Sequence, residues 1–311
     1  MRRLPLSSGL GLLGAVALVT GSLQAQPRPP GPRPPQPQAN AQTERPLTLQ
    51  EATERLRSAN PDEVRQGVDA LTRIGTPAVI RPLVELIHSG LPDGLLNTVV
   101  EKLGIIGRPE AIDELSSLLH HRRAAVREAA VKSLSQIRDN RVRPLIESAL
   151  RDSENSVRTA AAQALGEINA RQSVELLQRA FERNVPAAAE SIGRLGDPAS
   201  ANRLLEAVGR APLGVLLPGF RRFLDRRDLD DAVKFRIVEQ LVSRSPTAQV
   251  KAFLQEWVQG LPPTLRTRSR ARAELAIRQI NDAPGSPSGA SGAAPAPAPP
   301  AAPATPAGGA P

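Results

Sequence analysis

Val126-Arg127-Glu128-Ala129-Ala130-Val131-Lys132-Ser133-Leu134-Ser135-Gln136-Ile137 is followed, 31 residues on, by Val157-Arg158-Thr159-Ala160-Ala161-Ala162-Gln163-Ala164-Leu165-Gly166-Glu167-Ile168. The two runs are variants of one another. Val126, Ala130, Leu134 and Ile137 are separated by steps of four, four and three, and so are Val157, Ala161, Leu165 and Ile168. Steps of three and four place four apolar side chains on one face of a helix. Leu95, Val99, Leu103 and Ile106 carry the same steps 31 residues before the first run. Val64, Val68, Leu71 and Ile74 form an earlier copy with one residue fewer, and Ala188, Ile192 and Leu195 a shorter later one. A period of this length is the mark of a repeat array.

Each copy has its own punctuation. Ile74-Gly75, Ile106-Gly107, Ile168-Asn169 and Leu195-Gly196 put Gly or Asn where a helix leaves through the left-handed conformation. Pro77, Pro109 and Pro198 follow two residues after the glycines. A second amphipathic helix is then expected, on Val79, Leu83 and Leu86; Ile112, Leu115 and Leu118; Val142, Ile146 and Leu150; Val174, Leu177 and Phe181; Ala201, Leu204 and Val208. Two short helices cannot bury their apolar faces alone, whereas stacked repeats share one continuous core. Thr48-Leu49-Gln50-Glu51 has capping-box spacing and predicts a terminal helix ahead of the array. Further helices are expected near 213–224, 231–243, 247–259 and 264–280.

The strings Val126-Arg127-Glu128-Ala129-Ala130 and Val157 through Gly166 resemble the short HEAT repeats of phycobilisome-lyase-like proteins, over about residues 61 to 210. The resemblance implies an all-α fold, a right-handed superhelical solenoid of about seven antiparallel helix pairs over residues 47–281, flanked by disordered ends. Relatives of this type include enzymes. Deoxyhypusine hydroxylases carry His-Glu dipeptides that hold two irons, and this sequence has no such dipeptide. Its histidines are His88, His120 and His121; the last two are adjacent and diverge on a helix. With no cysteine, no phosphate-binding glycine loop and no Ser-His-Asp set, the reading assigns no catalytic residue, no metal ligand and no cofactor. Glu110 and Glu114 are read as surface carboxylates.

The ends differ from the middle. Arg2 and Arg3, the apolar run Leu10 to Val19 and Leu23-Gln24-Ala25 predict a secretory leader over 1–25, cleaved after Ala25. Its apolar run is shorter than the roughly 20 residues a membrane-spanning helix needs, so no integral anchor is expected after cleavage. The expected location is the periplasm or outside the cell. Residues 26–46 are proline-rich and predict an extended spacer. From Ala283 the chain uses only Ala, Pro, Gly, Ser and Thr, so a low-complexity tail is expected at 282–311.

The formal net charge of +9 dissolves on inspection. Residues 47–282 hold 35 basic against 30 acidic side chains, and Arg266, Arg268, Arg270, Arg272 and Arg278 account for most of that excess. Tyrosine is absent and the aromatic residues fall within apolar helical patterns. Neither fact favours a nucleic-acid partner. The expected partner is another protein or peptide; the alternatives are a structural envelope component working through its low-complexity ends, a nucleic-acid binder, and an enzyme of the lyase or di-iron hydroxylase type. The resemblance implies that the second helices line the concave face. Positions seven and eleven residues beyond each first helix are then the candidate partner-binding set: Arg81, Glu85, Asp113, Ser117, Glu175, Arg179, Asn202 and Glu206. Arg65, Arg127 and Arg158 recur near the repeat spacing and are read as structural bridges to acidic groups such as Asp152.

Overall fold

The computed structural model describes residues 45–282, and the expected leader, nearly all of the proline-rich segment and the tail from 283 onward lie outside the described residues. Helix α1 (Leu49–Arg55) opens on the expected capping box, in which Thr48 Oγ1 accepts from the Glu51 N–H at 3.3 Å and Glu51 Oε2 accepts from the Thr48 N–H at 2.8 Å. Seven helix pairs follow. They are α2 (Pro61–Ile74) with α3 (Ile80–His88), α4 (Asp93–Ile106) with α5 (Ile112–Leu118), and α6 (Ala124–Ser135) with α7 (Val142–Ala149). Next come α8 (Asn155–Glu167) with α9 (Val174–Glu182), α10 (Ala187–Leu195) with α11 (Pro198–Glu206), α12 (Leu213–Asp225) with α13 (Asp231–Arg244), and α14 (Ala248–Gln259) with α15 (Arg268–Asp282). No β-strand occurs among the described residues; Val208 and Ala211 form an isolated bridge.

The repeated apolar positions make the core. Val126, Ala130, Leu134 and Ile137 are all at most 1% exposed, and Val99, Leu103, Val157, Ala161 and Leu165 are fully covered. The second-helix positions Leu83, Leu115, Ile146 and Leu177 are equally buried. Fully burying a side chain of this size contributes about 1.5–3 kcal/mol.

The helix ends follow the expected chemistry with one exception. Gly75 at φ +61°, Gly107 at φ +66° and Asn169 at φ +55° are left-handed, and the Gly75 N–H closes back on the Leu71 carbonyl at 3.1 Å. Gly196 is not left-handed: it is extended, at φ −68° and ψ 160°. Glycine stands there because of crowding, since a Cβ would lie 2.6 Å from Ser200 Cβ and 2.7 Å from the Ile192 carbonyl oxygen. The last helix also departs from expectation, starting at Arg268 rather than near 264. Thr267 Oγ1 accepts from the Arg270 N–H, and the Asp231 carboxylate accepts from the Arg268 N–H at 2.9 Å, which together fix the start. Arg266 therefore precedes the helix and does not share a helical face with Arg270.

Along the array the first helices pack directly on one another, α4 on α6, α6 on α8, α8 on α10 and α10 on α12. Small residues permit this. A Cβ on Gly104 would lie 2.6 Å from Ser133 Cα, and one on Gly193 would lie 2.0 Å from the Gly219 carbonyl oxygen. Two serines stitch the row: Ser133 Oγ donates to the Val100 carbonyl at 2.8 Å and Ser191 Oγ to the Ala162 carbonyl at 2.7 Å. Both hydroxyls are buried, so these bonds also satisfy groups that would be costly unpaired. Successive second helices from α3 to α11 have no packing of comparable extent. At the far end the closeness changes sides, and α13 packs along α15.

Candidate functional site

Between α4 and α12 the first helices form the closely packed row, and successive second helices touch one another little. Notches are left between neighbouring second helices, and in the one between α9 and α11 a polar and a partly apolar cleft adjoin.

The eight candidate positions reach solvent but do not form one site. Arg81 and Glu85 are exposed on α3 and pair with each other at 2.9 Å. Asp113 and Ser117 are exposed on α5, where the Ser117 hydroxyl donates to the Glu114 carbonyl at 2.8 Å. Glu175 and Arg179 are exposed on α9, 4.0 Å apart, and Glu175 Oε2 also accepts from Arg203 Nη1 on α11 at 2.9 Å. On α11, Asn202 is half-buried and Glu206 exposed. The α9–α11 notch thus gathers Glu175 and Glu206, whereas the positions on α3 and α5 belong to other repeats.

Inside the notch runs a polar chain. Arg203 Nη1 donates to Gln178 Oε1, Gln178 Nε2 donates to Ser200 Oγ at 3.1 Å, and Ser200 Oγ donates to Asp197 Oδ1 at 2.8 Å. Gln178 and Ser200 are buried. Asp197 caps α11 by accepting from the Ser200 N–H at 2.8 Å. That backbone bond, with the Ser200 hydroxyl, holds the carboxyl below its usual range. The bond to Glu175 raises the Arg203 guanidinium.

Two clefts flank this chain. One, of about 430 Å³, is bordered by Arg171, Glu175, Asp197 and Arg226. The other, of about 820 Å³, is walled by Phe181, Ala207, Ala211, Pro212 and Val215, with Glu182, Glu206 and Arg210 at its rim. The Arg210 guanidinium donates to the Glu206 main-chain oxygen at 3.0 Å. Neither the Glu182 nor the Glu206 carboxylate forms a salt bridge or hydrogen bond among the described residues.

Sequence reading passed over Gln178, Ser200 and Arg203. A signal was present for the first two. Val174, Leu177, Gln178 and Phe181 occupy i, i+3, i+4 and i+7, so Gln178 falls on the apolar stripe of α9. Ser200 adjoins Ala201 and Leu204 on α11 in the same way. A polar residue on a buried stripe marks a place where two helices exchange a hydrogen bond.

The arginine series resolves into one strong bridge. Arg127 grips Asp152 through Nε and Nη2, both at 2.7 Å, and donates from Nη1 to the His121 carbonyl at 2.9 Å. Both side chains are nearly covered, at 12% and 11% exposure. The paired hydrogen bonds push Asp152 down and Arg127 up. The residues 31 before and after Asp152 are His121 and Arg183. Lacking an acid in the next repeat, Arg158 instead donates to the Asp152 and Ser153 carbonyls, both at 2.7 Å. Among the described residues Arg65 pairs only with Asp62 of its own helix.

Glu114 is not the free surface group expected. Its side chain is 11% exposed and binds His88 Nε2 at 2.9 Å, tying α3 to α5. Three arginines at the start of the last helix are engaged as well: Arg270 with Glu274, Arg272 with Glu239, and Arg268 over the Phe235 ring at 5.2 Å. Among the described residues no cluster of three His, Cys, Asp or Glu is placed to hold a metal ion, and no helix is long and apolar enough to cross a membrane.

Residues 49–135, 96–166, 112–186 and 142–217 match the family described as HEAT repeats, together more than half of the chain. No curated protein matches the sequence. Among solved structures the chain is similar to the complex of CpcE and CpcF of phycocyanin lyase from Nostoc sp. PCC7120, at 18% identity over 83% of this chain and 100% of that one, with a TM-score of 0.42. It is similar also to human deoxyhypusine hydroxylase in complex with glycerol, at 16% identity over 75% and 96% of the two chains, with a TM-score of 0.38. A third likeness is to an engineered protein, at 14% identity over 75% and 96%, with a TM-score of 0.33.

Proposed function

The chain belongs to the HEAT-repeat family, and from that premise we propose that it is an exported, non-catalytic scaffold that binds another protein or peptide on its second-helix side. The observation that carries this reading is the notch between α9 and α11. There a polar chain with Gln178 and Ser200 buried at its middle links the two helices, and beside it an apolar wall and charged groups line an open cleft. Ligand-accepting clefts of about 300–1,000 Å³ combine these properties. Export is supported by the sequence of the first 25 residues, from Arg2-Arg3 to Ala25.

Affinity capture from an envelope fraction tests the scaffold reading. Reversing Arg81, Asp113, Glu175 and Arg179 together is expected to weaken capture while leaving helical content intact, because all four are exposed and none supports the core. Capture that survives this change but is lost on deleting residues 26–46 or 283–311 refutes it and favours a structural component acting through its ends. Export is checked separately, by finding a mature terminus at Gln26 outside the cytoplasm.

A further inference from the structure

The geometry points to a partner segment of defined chemistry for the 820 Å³ cleft: an extended peptide that presents a bulky apolar side chain next to a basic residue. This rests on the scaffold reading above and sharpens it.

The cleft's inner wall is apolar and is built by α9, α11 and the start of α12. Phe181 is only partly covered although the equivalent Leu150 of the preceding repeat is buried. Ala207, Ala211 and Val215 line the same cleft, and the two alanines are small. A half-covered aromatic ring in a cleft lined also by alanines leaves room for a side chain from outside and apolar area to bury against it.

Charge at the rim selects the neighbour. Glu175 pairs with Arg203, while Arg210 keeps its charge and donates only to a main-chain oxygen. Against that one cation stand two carboxylates of the same opening, those of Glu182 on α9 and Glu206 on α11, which form no salt bridge among the described residues and leave the rim one negative charge in excess. A lysine or arginine reaching between them would gain charge-assisted bonds, and a carboxylate there would meet repulsion. Duplex nucleic acid and anionic lipid are therefore poor occupants.

The test uses the full chain and three fluorescein-labelled octapeptides. The first is Gly-Ser-Leu-Leu-Arg-Lys-Ser-Gly, the second replaces Arg-Lys by Glu-Glu, and the third replaces Leu-Leu by Ser-Ser. By fluorescence anisotropy the first is expected to bind saturably and the other two about tenfold or more weakly. Glu182→Gln with Glu206→Gln should weaken the first peptide about tenfold and flatten its salt dependence. Both residues are exposed, so this variant folds as the parent does. Ala207→Trp, filling the cleft, should abolish binding.

Equal binding of the Glu-Glu peptide, absence of binding by all three peptides, or a first peptide indifferent to both variants overturns the proposal. The scaffold reading is judged apart from it. If capture from the envelope fraction responds to the four-residue reversal but not to Ala207→Trp or to the two glutamine substitutions, the scaffold stands and the assigned cleft chemistry falls.

Discussion

Gly193→Ala puts two opposed effects against each other. In a helix interior alanine is favoured over glycine by about 1 kcal/mol, so propensity alone makes the variant more stable. Packing says the opposite. The new Cβ would lie 2.0 Å from the Gly219 carbonyl oxygen, 2.8 Å from its carbonyl carbon and 2.9 Å from its Cα. These are backbone atoms of α12, which no rotamer change can move aside. Relief requires α10 and α12 to separate by an ångström or more, loosening the apolar contacts of Leu195, Leu216 and Phe220 around them. Overpacking a tight core costs about 1–3 kcal/mol, with backbone clashes at the upper end. After the propensity gain, a net loss of about 1–2 kcal/mol is expected, or roughly 2–8 °C in melting temperature for a body of this size. Gly94→Ala in α4 is the control, since its Cβ meets nothing within 4 Å and should be neutral or slightly stabilising. Urea denaturation followed by circular dichroism at 222 nm compares the two. A Gly193→Ala midpoint equal to or above wild type would refute the claim that close approach of the first helices spaces the array.

Arg127→Leu should cost about 2–3 kcal/mol, because it strands the nearly covered Asp152 carboxylate without its bidentate partner; a urea midpoint shift below about a quarter of this would show the bridge to be dispensable. Stability should also fall in acid. Asp152 and Asp197 have folded-state pKa values below the ordinary one, and Asp228 is lowered to about 2 by Arg226. Their contribution is complete above the unfolded pKa of about 4 and is lost as pH drops through the folded values, so the urea midpoint should decline from about pH 5 toward pH 2. Arg127→Leu should flatten that decline, and an unchanged slope would exclude Asp152 as its source. Finally, duplex DNA should not bind with submicromolar affinity near about 150 mM salt, since residues 47–282 hold 35 basic against 30 acidic side chains and so little net charge for counterion release; tight, salt-sensitive binding in a gel-shift assay would contradict this.

Much of the architecture was legible in the order of residues. Repeating steps of four, four and three fix which side chains face inward, and periodicity is a local property of helical geometry. The caps at Gly75, Gly107 and Asn169 were readable for the same reason, and so was the Arg127–Asp152 bridge, since basic and acidic groups of adjacent repeats lie at a predictable offset. What needed the folded chain depends on spacing between helices. Gly196 has the same sequence context as Gly75 and Gly107, yet it is required by the nearness of Ser200 and the Ile192 carbonyl rather than by a left-handed turn. Glu114 became a partner of His88 only when α3 and α5 were set side by side. Gly104 and Gly193 each follow the third apolar position of their repeats and Ser133 precedes its own, but only the folded chain shows that such positions meet between neighbouring first helices and draw them together while the second helices stay apart. The α9–α11 cleft is a product of that difference. Its apolar wall and unpartnered glutamates come from three helices whose relative distance no single stretch of sequence encodes.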